Sequence, residues 1–135
     1  MNTGAYLSNA ATQASPWTWA AVALGGACGA LARHGLVQLS ARAGIHAPYA
    51  IGLANVIGCF GAGLAWGWLE RVAPGSWLRP FVMTGFLGAF TTFSAFSNEA
   101  VELLGQGRSA LAIGSVLLQV GLGLLAVAVG RALIG

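Results

Sequence analysis

The chain has 135 residues, 57% hydrophobic and only 7% charged. Ordinary soluble domains carry about a quarter charged residues, so this composition excludes a soluble globular fold. The net charge of +3 comes from six arginines, Arg33, Arg42, Arg71, Arg79, Arg108 and Arg131, set against Glu70, Glu99 and Glu102. These arginines stand singly at segment ends with no basic run. That excludes a nucleic-acid surface tracking phosphates and marks them as membrane anchors and topology signals.

Residues 1–16 are polar, end in Ser15-Pro16 and lack a basic leading region, so they read as a disordered lead-in and not a cleaved signal peptide. Four apolar segments follow, each long enough to span a bilayer at about 20 residues per crossing. They run over Trp17–Ser40, Pro48–Leu69, Pro80–Leu104 and Ser109–Gly130, giving an all-α transmembrane domain over 17–135. Trp17, Trp19, Tyr49, Trp66, Trp68 and Trp77 sit near the segment ends, as an interfacial aromatic belt requires. Cys28 and Cys59 fall within apolar spans and read as small buried hydrophobes. His34 and His46 have no ligand partners at metal-binding spacing and read as interfacial.

Glycine is abundant, with 21 in the chain. Gly25 and Gly29 are one helical turn apart, as are Gly63 and Gly67, and Ala54 and Gly58. Small residues at this spacing let membrane helices approach closely, since lipid offers no hydrophobic drive for their association. In span two, Asn55 is the one strongly polar side chain. Interhelical hydrogen bonding is its ordinary role, and ion contact is the alternative.

Span three carries the stretch Gly85 to Glu99, which includes Thr91, Thr92, Phe93, Ser94, Phe96 and Ser97. Four hydroxyls in seven residues, beside Gly85 and Gly88, are poor material for a plain lipid-facing helix. They suit a helix broken over Gly88–Ser94, which lipid tolerates only where protein or a water-filled cavity satisfies the freed backbone. Membrane transport proteins use such breaks to hold ions. Phe93 and Phe96 are one turn apart and could simply pack. Alternatively, their electropositive ring edges could support an anion without binding it tightly, which conduction requires. Hydroxyls of this kind also bond back to the preceding turn. In span four, Ser115 and Gln119 form a polar stripe, either packing or pore lining. No nucleophile or acid constellation points to an enzyme.

Counted by side, the arginines are almost balanced: Arg71, Arg79 and Arg131 on one face against Arg42, Arg108 and Arg33 on the other. Orientation normally follows an excess of Arg and Lys on the cytoplasmic side, so this chain lacks a topological preference. Insertion both ways up, with an antiparallel homodimer completing a thin bundle, is the expected outcome.

These motifs resemble the Fluc family of bacterial fluoride channels. The match is carried by Gly85 to Gly88 followed by Thr91 to Glu99. It is supported by Gly25 to Arg33 in span one and by Asn55 to Gly63 in span two. The resemblance implies a dual-topology antiparallel homodimer in the cell inner membrane that exports cytoplasmic fluoride passively and relieves its toxicity. It also implies a structural sodium ion, not transported, held at the dimer axis by the backbone carbonyls of Gly88 and Thr91. Phe93, Phe96 and Asn55 would line the fluoride pore, with Ser94, Ser97 and Ser115 continuing a polar track. Arg33 would stand at a vestibule, and Glu99 nearby is left without a role. The chain departs from the family pattern at Ile51 and Ala95, where Thr is frequent, at Cys59 in place of Ser, and at His34 in place of an aromatic. Two rivals have the same gross architecture. A small proton-coupled multidrug exporter needs an acid in span one, which has none. A non-conducting scaffold gives Thr91–Ser97 no reason to be polar.

Overall fold

The structure, a computed structural model, describes residues 15–72 and 76–134, and among these every regular element is helical. Helix α1 spans Pro16–Arg42, α2 spans Ala47–Val72 and α5 spans Ser109–Ile134. All three are long and apolar enough to cross a membrane. At about 1.5 Å per residue each approaches 40 Å, which exceeds the hydrocarbon core and carries the helix ends into the interface. Of the expected lead-in, residues 1–14 lie outside the described residues. Ser15 and Pro16 instead start α1: the Ser15 hydroxyl accepts from the Thr18 amide at 3.3 Å, and proline occupies the first helical position.

The third apolar segment is divided. Pro80–Leu87 forms a π-helical stretch, π1, followed by a single turn α3 (Gly88–Phe90), and the helix resumes as α4 (Phe93–Gly105). Between them Thr91 (φ −85°, ψ 156°) and Thr92 (φ −149°, ψ 120°) are extended. The break is therefore narrower than the expected Gly88–Ser94. Gly88 keeps helical angles (φ −63°, ψ −33°), and Ser94 already lies inside α4, because Thr92 caps the new helix at once.

Two turns close the helical hairpins in the same way. Gly44 (φ +75°) donates to the Ala41 carbonyl at 3.0 Å while Ile45 donates to Ser40 at 2.9 Å. Gly107 (φ +72°) donates to Leu104 at 3.0 Å while Arg108 donates to Leu103 at 2.9 Å. Both are Schellman closures, in which glycine takes the left-handed conformation that other residues resist.

Packing follows the small residues. Helix α1 lies against π1, and α2 lies along α5. At Gly25 and Gly29 a side chain would collide with the backbone carbonyls of Phe81 and Phe86, and at Gly63 with that of Val127. The glycine spacing thus serves close backbone approach, as expected. Most large apolar side chains point outward, among them Leu117, Leu124 and Leu133, as suits a protein whose solvent is lipid.

Candidate functional site

The break in the third segment is held from α2. The Thr92 amide donates to Asn55 Oδ1 at 2.8 Å, and Asn55 Nδ2 donates back to the Thr92 carbonyl at 3.2 Å. One side-chain amide therefore satisfies both backbone groups of a single residue, as a neighbouring strand would. A further donation from Nδ2 reaches Gln119 Oε1 on α5 at 3.5 Å.

This pairing changes which carbonyls are free. In an uninterrupted helix the Thr92 amide would serve the Gly88 carbonyl and the Ala95 amide would serve that of Thr91. Here Thr92 donates to Asn55, and Ala95 donates to the Thr92 hydroxyl at 3.4 Å. Both expected sodium ligands, the carbonyls of Gly88 and Thr91, are thereby released from the helical ladder. Thr91 is fixed by its hydroxyl, which donates to the Leu87 carbonyl at 2.9 Å, and its methyl fills the space that a side chain at Gly58 would need.

Immediately after the break, Phe93 and Phe96 stand with ring centroids 5.5 Å apart and planes tilted by 55°. Phe96 is 8% exposed and Phe93 78% exposed, so one ring is packed inside and the other faces outward. Both line a cavity of about 220 Å³ with Asn55, Cys59, Thr91 and Gln119. A second cavity of about 220 Å³ lies beside Thr92 and is lined by Arg33, His34, Ile51 and Ala95. Thr92 borders both. All four positions at which the chain departs from the family pattern line one or other of these spaces.

The hydroxyls divide between roles. Ser94 lies 3.1 Å from the Thr92 hydroxyl at the exposed start of α4, and the Ser97 hydroxyl donates to the Phe93 carbonyl at 3.0 Å. Ser115 is not gathered with Asn55 and the phenylalanines. Its hydroxyl donates to the Ala112 carbonyl at 3.0 Å, and it lines a separate cavity of about 580 Å³ with Glu99, His46, Tyr49 and Arg108. Glu99 Oε2 is buried there with no hydrogen-bond partner among the described residues. The sequence reading missed Thr92 as the backbone partner of Asn55, and it placed Gln119 only in a stripe with Ser115. The stripe splits because one helical turn of α5 separates the two cavities. Gln119 instead reaches toward Asn55, passing beside Gly52.

Comparison with known proteins supports the motif reading. The family model described as CrcB-like protein, Camphor Resistance (CrcB), matches residues 20–131. The fluoride-specific ion channel FluC of Deinococcus radiodurans is 45% identical over 124 residues, covering 87% of this chain and 93% of that protein. The protein of the same name from Psychrobacter arcticus is 43% identical over 116 residues, 83% of this chain and 92% of its own. That of Desulfotalea psychrophila is 39% identical over 110 residues, 82% and 86% respectively. These relatives are ion channels rather than enzymes, and the chain belongs to their family, the CrcB family of fluoride channels.

Proposed function

We propose that this chain is one subunit of a fluoride-selective channel that lets cytoplasmic fluoride leave the cell passively through the inner membrane. The observation that carries this reading is the two-residue break, which combines released carbonyls on one side with a tilted phenylalanine pair on the other. Fluoride enters acid-exposed cells as neutral HF, ionises at the near-neutral cytoplasmic pH and accumulates. A negative-inside potential then drives the anion outward at about 2.3 kcal/mol per 100 mV, so an open selective pore suffices.

The chemistry of each group fits that task. The edges of Phe93 and Phe96 present weak positive potential to a small anion, enough to replace part of its hydration without trapping it. Asn55 and Gln119 supply amide groups to the same cavity, while Arg33 offers positive charge at the adjoining one. Ser94 and Ser97 flank the ring pair. Ser115 and Glu99 border the separate space toward the α4–α5 turn, as a vestibule would.

The third segment would cross the membrane as π1, α3 and α4 together, giving four crossings. A second chain, inserted the other way up, would cover the outward face of Phe93 and bring its own Gly88 and Thr91 carbonyls to the axis. Carbonyls freed by an unwound helix are suitable ligands for sodium. A sodium ion bound there would cancel the mutual repulsion of facing carbonyl dipoles and tie the two chains together without being transported.

The test is fluoride efflux from liposomes containing the purified protein. Efflux of fluoride without comparable chloride efflux is expected. Proton-coupled drug transport, or no anion flux at all, would refute the reading.

A further inference from the structure

The end of the molecule formed by the start of α1, the start of π1 and the ends of α2 and α5 carries a feature that anion conduction does not use. The Arg79 guanidinium lies 4.8 Å from the ring centre of Trp66, and that of Arg131 lies 5.6 Å from the same ring. One indole thus anchors two cations that come from different helices. Arg79 also approaches Glu70 at 3.7 Å, a long and half-exposed ion pair worth little by itself. Arg131 forms no ion pair among the described residues.

Next to this stack lies a cavity of about 580 Å³ lined by Trp17, Trp66, Trp77, Arg79, Thr18 and Ser76. A smaller one, about 230 Å³, is lined by Trp66, Gly67, Glu70, Arg71 and Arg131, two guanidinium groups against one carboxylate. The first combines three indole rings with a guanidinium and the hydroxyls of Ser15, Thr18, Ser76 and Thr84. Such a lining suits a molecule that is apolar over most of its length and anionic at one end. Indoles settle at the level of lipid headgroups, and basic pockets between membrane helices at that level bind anionic headgroups.

We infer that this end of the protein is a binding site for the phosphodiester of an anionic phospholipid. Arg79, which lines the larger cavity, would receive the phosphate, with Arg131 adding positive charge from the neighbouring cavity beside Trp66, while Trp17 and Trp77 flank the glycerol and upper acyl region. Arginine suits the role because its planar fork pairs with two phosphate oxygens at once and stacks on an aromatic face. The site lies at the opposite end of the chain from the turns at Gly44 and Gly107, apart from the cavities at the helix break.

The experiment is native mass spectrometry of the delipidated full-length protein titrated with phosphatidylglycerol or phosphatidylcholine. The wild-type protein should retain phosphatidylglycerol with roughly tenfold preference, and Arg79→Gln with Arg131→Gln should weaken that binding by roughly 30-fold. Trp66→Leu keeps both charges but removes the ring that aligns them, and should lose much of the preference. Fluoride efflux in the same variants reports that the protein remains folded. Equal retention of the two lipids by the wild type, or an unchanged preference in the double variant, would overturn the site. Displacement of bound lipid by inorganic phosphate at similar concentration would identify a free-phosphate site and overturn the lipid assignment.

Discussion

Removing the Asn55 side chain is the sharpest test of how the broken helix is held. Asn55→Ala deletes the acceptor for the Thr92 amide at 2.8 Å and the donors to Thr92 and Gln119 at 3.2 and 3.5 Å. Ordinary interhelical hydrogen bonds in membrane proteins are worth about 0.6 kcal/mol on average. Asn55 differs because its loss takes the partner from both backbone groups of one part-buried residue. An unsatisfied buried donor or acceptor costs about 1–3 kcal/mol, so a penalty of about 2–6 kcal/mol is expected. Alternatively, the Thr92 amide returns to the Gly88 carbonyl and the helix reseals. That recovers stability but takes a carbonyl from the proposed sodium site. Either way, fluoride efflux from liposomes should fall sharply. Unfolding in detergent should show a large loss of stability, or else tighter helix with no function. Normal flux together with a loss near 0.6 kcal/mol would refute the capping role and return Asn55 to simple interhelical contact.

Phe93→Ile and Phe96→Ile should each reduce fluoride flux severely while dimers persist by crosslinking. Their stability costs should differ, near zero for the exposed Phe93 and about 1 kcal/mol for the packed Phe96; unchanged flux in both would leave the rings as packing. Flux should depend on sodium although no sodium crosses, and full efflux after thorough sodium removal on both faces would refute a structural cation. Gly88→Ala should leave the single chain intact, because a side chain there would come no nearer than 3.7 Å to Met83, so loss of dimer or flux would locate the obstacle in the second chain. Retention of both would refute the proposed place of Gly88 at a dimer axis. Reporter fusions at the carboxyl terminus should give both orientations, and a clean single orientation would refute dual topology.

Three of the four expected spans, now α1, α2 and α5, were legible because length and hydropathy decide them, and their ends were marked by proline, glycine and arginine. Span three was also recognisable as broken, from hydroxyls too dense for a lipid-facing helix. Its position within Gly88–Ser94 was not legible, since it depends on where Asn55 meets the backbone, and that requires the register of α2 against α4. The same limit misplaced Ser115. Its chemistry matches Ser94 and Ser97, yet the rotation of α5 turns it toward Glu99. Back-bonding and interruption had seemed alternatives for the hydroxyls, but they coexist. Thr91 and Ser97 bond to the preceding turn, while Thr92 caps the helix that follows.

The glycine contacts divide the molecule mechanically. Gly25 and Gly29 weld the first half of the broken segment to α1, whereas Gly63 fastens α2 to α5, against which the second half rests. Asn55 on α2 ties the two halves together at Thr92, beside the packing of α2 against α1 and π1. Thr91 and Thr92, the extended residues between those halves, must take up the angle that the two packings impose. A perturbation as distant as a bulkier residue at Gly29 would therefore act on the same peptide bonds that set the carbonyls of the site.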